Sequence, residues 1–203
     1  DLPLPKKIFV HGFFSINGQK MSKSLGNVIN PTEMTDKFGL DATRYLILSQ
    51  FAFGNDGDIK ENNFVEKYNA DLANGLGNLT ARVITMTEKY FNSQAPQGQP
   101  SKSISQKTPE QIITQVWLDY KTAFNNLALD QCLKIIIDFA QKLDQYIQKT
   151  EPYKIIKQNR QKTAKVLYNL LESLRHIAWQ IMPFMPNTAN KIFEQLGILN
   201  SEP

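Results

Sequence analysis

From residue 62 onward the apolar side chains fall into a helical register. Phe64, Tyr68, Leu72, Leu76, Leu79, Val83, Met86 and Tyr90 are spaced 4, 4, 4, 3, 4, 3 and 4 apart. That rhythm puts one side chain per turn on one face of a helix about eight turns long. A helix cannot bury its own seam, so it needs partners, and the sequence supplies them. Ile113, Val116, Trp117, Tyr120, Phe124 and Leu127 mark a second helix. Leu129, Cys132, Ile136, Phe139, Leu143 and Tyr146 mark a third, ending near Gln148. Leu167, Leu170, Leu174, Ile177 and Ile181 mark a fourth, from about Lys162 to Ile181. The Ser/Gln/Pro/Gly-rich stretch 92–107 reads as a loop. Thr108-Pro109-Glu110-Gln111 reads as a helix start, with Thr108 as cap, Pro109 first and Gln111 completing a capping box. Pro183 and Pro186 end the fourth helix. Asn187 is expected to cap a last short helix closed by Gly197. The expected fold is mainly α: an antiparallel helical bundle over residues 62–203, preceded by a small mixed α/β segment over 1–61.

That first segment is read from its turns. Lys7-Ile8-Phe9-Val10-His11 is β-prone, which places His11 at a buried strand end. Phe13-Phe14-Ser15-Ile16 is expected to form the second arm of a hairpin around Asn17-Gly18, a strong turn dipeptide. Pro31 to Phe38 reads as a helix with Asn30 as cap and Gly39 as stop. Asp41 to Leu48 reads as another, and Gly54 to Asp58 as a turn.

Composition removes several classes. No apolar run approaches the roughly 20 residues of a membrane span. Cys132 is the single cysteine of 203 residues, so neither an internal disulfide nor a Cys-rich zinc site fits, and no metal site is expected. A cytoplasmic setting fits. Asp1-Leu2-Pro3-Leu4-Pro5 resembles no secretory signal and reads as the middle of a longer protein. The formal charge is +4, but it is concentrated. From Lys149 to Arg175 seven bases face two acids, a net +5, and such a stretch suits a polyanionic partner, nucleic acid first.

The sharpest string is Lys20-Met21-Ser22-Lys23-Ser24, followed by Leu25-Gly26-Asn27. Two lysines three apart on a mobile loop place ammonium groups against phosphate oxygens, and hydroxyls and backbone N–H groups add contacts. The string resembles the KMSKS signature of class I aminoacyl-tRNA synthetases. Phe9-Val10-His11-Gly12-Phe13-Phe14, Gly39-Leu40-Asp41-Ala42-Thr43-Arg44-Tyr45, Phe53-Gly54-Asn55-Asp56-Gly57-Asp58 and Tyr68-Asn69-Ala70-Asp71-Leu72-Ala73-Asn74 extend the likeness over nearly the whole chain. They narrow it to the carboxy-terminal part of methionyl-tRNA synthetases.

The resemblance implies ATP, with Mg²⁺, and methionine as substrates, and tRNA(Met) as partner. Lys20, Met21, Ser22, Lys23 and Ser24 would meet the ATP. Lys20 and Lys23 would stabilise charge on the leaving pyrophosphate, Lys23 most closely. The family's His-Ile-Gly-His string is absent, so half a catalytic site at most is expected, and no activity from this chain alone. The segment before residue 62 would be the stem-contact fold, and the bundle would bind the anticodon.

Asn78 and Arg82, four apart, share one flank of the seam. An amide can read a base edge, and a guanidinium can stack on a base or pair with phosphate. Spacing alone favours a helix-packing pair beside the seam. The resemblance matches both to anticodon contacts. It also sets Tyr153 where the family has a stacking Trp, a ring with less area and a polar end. Lys154, Lys157 and Arg160 follow as phosphate contacts. Two rival readings remain: a free-standing RNA-binding module, and a sister class I synthetase for cysteine, isoleucine, valine or leucine.

Overall fold

The computed structural model describes residues 3–6, 8–52, 54–97 and 109–198. Asn17 and Gly18 both take positive φ, 50° and 75°, as a two-residue hairpin turn of the I′ kind requires. They join β1 (Phe14–Ile16) to β2 (Gln19–Lys20) in antiparallel register, Ser15 opposite Lys20. Phe14–Ile16 is therefore the first arm of the hairpin, not the second. Residues 8–11 form no strand, and His11 is exposed, its Nδ1 turned to the neighbouring Gly12 carbonyl. An expected buried strand end is thus an open segment, with Ile8 80% and Val10 78% exposed.

β1 pairs on its other side with β3 (Gly57–Ile59), in parallel. Turn composition hid this short strand, whose first two residues fall in Gly54–Asp58. Two aspartates of that turn fasten the hairpin. Asp56 accepts from the Phe13 N–H at 2.7 Å; Asp58 accepts from the Gly18 N–H at 2.7 Å and the Ser15 hydroxyl at 2.9 Å. Those two donors hold the Asp58 carboxyl below its usual range. Gly12 lets the strands close up, because a Cβ there would lie 2.1 Å from the Asn55 carbonyl oxygen.

Between these strands run α1 (Pro31–Phe38) and α2 (Leu40–Leu48). The Asn30 Oδ1 accepts from the Thr32 N–H at 2.9 Å and caps α1 as expected. Gly39, at φ 81°, ends it.

The long seam is not one regular helix. α3 (Glu61–Lys67) passes into a π-helical stretch, Tyr68–Gly77, before α4 (Asn78–Phe91). α5 (Pro109–Asn125) and α6 (Leu129–Thr150) follow, then α7 (Pro152–Ile155), α8 (Arg160–Ile181) and α9 (Pro186–Gln195). Thr108, the expected cap of α5, lies outside the described residues. Asn187 does not cap α9. The helix begins one residue earlier, and the cap is supplied by Asp41 of α2, whose carboxylate accepts from the Thr188 N–H at 2.6 Å and its hydroxyl at 2.9 Å. Arg44 donates to the carbonyls of Phe184 (2.7 Å) and Pro183 (2.9 Å). The first segment is thereby sewn to the end of the bundle.

One apolar cluster runs through both parts, from Met34, Tyr45, Leu46 and Ile59 to Leu79, Leu133, Leu167 and Leu174. Each fully buried Leu or Phe contributes about 1.5–3 kcal/mol from the apolar area removed from water. Polar bonds pin the helices within it. The Trp117 indole donates to His176 Nδ1 at 3.0 Å, and the Tyr120 hydroxyl to the Gln180 carbonyl at 2.9 Å. Both tryptophans are half-buried in packing positions, Trp179 against Phe193 with centroids 4.9 Å apart. No helix among the described residues is long and apolar enough to cross a membrane.

Candidate functional site

β2 delivers the chain directly into the lysine loop. Lys20 ends the strand, Met21 and Ser22 are half-buried, and Lys23–Leu25 make one 3₁₀ turn closed by Gly26 at φ 66°. Leu25 N–H donates to the Ser22 carbonyl at 3.2 Å, and the Ser22 and Ser24 hydroxyls lie 2.7 Å apart. Lys23 and Ser24 are exposed. The Lys20 ammonium lies 5.3 Å from the centroid of the Phe13 ring, a cation–π contact within the hairpin. The five residues expected to meet ATP thus run from the end of β2 into the short turn that follows it. Asn27, which sequence reasoning did not single out, bonds to the loop twice with its side chain.

The second expected group lies on the bundle. Asn78 opens α4 and is exposed. Arg82, one turn on, reaches across to α6, its Nη1 2.6 Å from Asp144 Oδ1. The Arg82 side chain is 35% exposed and that of Asp144 22%, so both face a partly wet groove between α4 and α6. Burial pushes the Asp144 carboxyl up, and the guanidinium works against that.

Asp144 is six residues before the end of α6, a rise of about 9 Å. There Glu151 takes positive φ, 43°, and Pro152 starts α7. Tyr153 is 44% exposed, its hydroxyl 3.5 Å from Glu151 Oε1, and the same oxygen takes the Lys154 ammonium at 2.6 Å. Lys157 is exposed. Arg160, the first residue of α8, lies over the Phe91 ring at 4.7 Å and so ties the start of α8 to the end of α4. Arg82 thus ties α4 to α6, and Arg160 ties the end of α4 to the start of α8.

Asp144, Glu151 and Phe91 were missed from sequence. Asp144 and Phe91 lie far along the chain from the cations they meet, and Glu151, three residues before Lys154, sits at the joint between α6 and α7, where periodicity says nothing. Elsewhere a cavity of about 530 Å³ opens between α2, the π stretch and α9, walled by Phe38, Tyr68, Leu72, Leu76, Ile192 and Lys191. None of the expected site residues lines it. Among the described residues no group of three or more His, Cys, Asp or Glu could hold a metal ion.

The model of the family "tRNA synthetases class I (M)" matches residues 1–84. A methionine–tRNA ligase of Caldanaerobacter subterraneus is 43% identical over 97% of this chain, which covers 31% of that protein. One from Nostoc sp. is 38% identical over 97% of the chain, covering 37% of its length. Among solved structures, Mycobacterium tuberculosis methionyl-tRNA synthetase in complex with methionyl-adenylate superposes with a TM-score of 0.88 at 29% identity, over 98% of this chain and 40% of that one. The chain therefore spans well under half the length of the relatives it matches.

Proposed function

We propose, on the premise that this chain belongs to the methionine–tRNA ligase family, that it supplies two working parts of such a ligase: the lysine loop that meets ATP and the surface that reads tRNA. The chemistry is methionine activation by ATP to methionyl-adenylate and pyrophosphate, then transfer of the methionyl group to tRNA(Met). Mg²⁺ accompanies the ATP as part of the substrate. Lys20 and Lys23 stabilise the negative charge that grows on the leaving pyrophosphate, while Met21, Ser22 and Ser24 shape the turn and offer hydroxyl and backbone contacts. The observation that carries this reading is the loop itself: a single turn at the end of β2, with Lys23 exposed on it, in a chain homologous to these ligases over 97% of its length.

Residues 1–61 act as the stem-contact segment and 62–203 as the anticodon-binding bundle. Asn78 reads a base edge of the anticodon, Arg82 stacks or pairs beside it, and Tyr153 gives a ring for a base to lie on. Lys154, Lys157 and Arg160 hold phosphates. Arg82 released from Asp144, and Lys154 released from Glu151, are the forms that engage RNA. The protein works in the cytoplasm. The exposed Leu4, Ile8, Val10 and Phe13 suit burial against the further length that the relatives have.

Lys23→Ala tests the loop, in a protein carrying this chain together with that further length. Methionine-dependent exchange of pyrophosphate into ATP should slow by the equivalent of about 2–4 kcal/mol in the barrier, the scale of one lost charge-stabilising donor. The methionine KM should hold, because the charge develops only towards the transition state. An unchanged exchange rate would refute the assignment.

A further inference from the structure

The lysine loop buries none of the residues of its 3₁₀ turn, and Leu25 is 65% exposed. Packing therefore does not decide its shape; hydrogen bonds do. Two of them come from one side chain. Asn27 Oδ1 accepts from the Ser22 N–H at 2.9 Å, and Asn27 Nδ2 donates to the Lys20 carbonyl at 3.2 Å. A carboxamide is suited to this, because it offers an acceptor and a donor on one planar group. The chain leaves Lys20, turns through Lys23–Leu25, reverses at Gly26 and returns its next residue to both ends of the turn.

Asn27 also leads to firm ground: Ile29 packs against the apolar core and Asn30 caps α1. We infer that Asn27 is the positioning residue of the lysine loop, clamping the backbone at Lys20 and Ser22 so that both lysines are held in one arrangement before ATP arrives. This rests on the reading of the loop as the ATP-contacting element. Asn27 touches no substrate. It acts through Lys20 and Lys23, and its physical contribution is the ordering that the loop would otherwise have to undergo on the way to the transition state.

The test uses Asn27→Ala and Asn27→Asp in the longer protein. The aspartate keeps an acceptor for Ser22 but sets an oxygen against the Lys20 carbonyl, so the clamp is lost in both. Two readouts are taken. Trypsin cleaves after lysine, so the rates of cutting after Lys20 and Lys23 without any substrate report the order of the loop directly. Pyrophosphate exchange reports its use. The expected result is faster cleavage at both lysines, exchange slowed by about tenfold or more, and an unchanged methionine KM and melting temperature. Wild-type cleavage rates overturn the inference. So does exchange within about twofold of wild type beside a Lys23→Ala protein that has lost it. If Lys23→Ala keeps full exchange, the reading of the loop as the ATP contact fails instead, and the cleavage rates alone decide the clamp.

Discussion

The Arg82 guanidinium sits 2.6 Å from the Asp144 carboxylate, while Asn78, one turn before it, is exposed. An ion pair this wet contributes little net stability, about 1 kcal/mol or less. It can therefore open at small cost when a base or phosphate offers the same guanidinium a partner. Base contacts specify and phosphate contacts position, which gives the residues separable signatures. A CAU anticodon stem-loop should bind better than one with an altered anticodon. Arg82→Ala and Tyr153→Ala should each shrink that preference, by on the order of 1–3 kcal/mol for a lost stack. Lys157→Ala should weaken both RNAs alike and lower the salt slope by about one unit. Equilibrium binding at several salt concentrations distinguishes these cases. A CAU preference that survives Arg82→Ala and Tyr153→Ala would return Arg82 to a purely packing role.

At the scale of elements, the π-helical stretch explains a detail of the seam. Phe64, Tyr68, Leu72 and Leu76 are spaced 4, 4, 4, wider than the 3.6 of an α-turn, and a π-turn, closing five residues back, holds more residues. Within it a Cβ at Gly77 would lie 2.9 Å from the Leu72 carbonyl oxygen. Gly→Ala in a helix normally stabilises by about 0.5–1 kcal/mol. Here the sign should reverse: Gly77→Ala should destabilise by about 1 kcal/mol as the carbonyl is displaced, read as a fall in the urea midpoint.

The α5–α8 contact should titrate. The Trp117 N–H only donates, so His176 Nδ1 must accept and carries no proton, while Nε2 faces Glu172 at 3.2 Å. Burial, and then Arg175 beside it, hold His176 below its ordinary 6.5, with Glu172 pulling the other way. The unfolded chain thus takes up the proton first. Stability is full above about pH 6.5 and is lost as pH falls through the folded value. Glu172, held low by Arg175, contributes in a separate window below its usual 4.5. Urea unfolding from pH 7.5 down to 5.5 should show the first loss. His176→Gln, which can still accept from Trp117 but cannot titrate, should flatten it.

Over the whole molecule, the first segment and the bundle share one core, and the buried Asp41 is one of the polar groups that join them, beside Arg44. Asp41 caps α9 through Thr188 and takes the Asn187 amide at 3.2 Å. Asp41→Ala should cost about 1–2 kcal/mol, the scale of a lost N-cap. Hydrogen exchange should quicken first at the start of α9. Protection of that turn equal to wild type would show that the cap is not what holds it.

The sequence by itself determined the helices that carry the bundle, the Asn30 cap and Gly39 stop of α1, the Asn-Gly hairpin turn, and the lysine loop with its likeness to one enzyme family. All of these are written in local spacing, the scale at which backbone geometry and propensity act. Only the tertiary structure decided which arm of the hairpin is which, that β3 pairs in parallel with β1, and that Asp41, not Asn187, caps α9. It also decided that Arg82 meets Asp144, 62 residues away. Such pairings are chosen by which surfaces pack against one another. A carboxylate's partner across a helix interface leaves no period in the sequence, because nothing local constrains where along the chain that partner must stand.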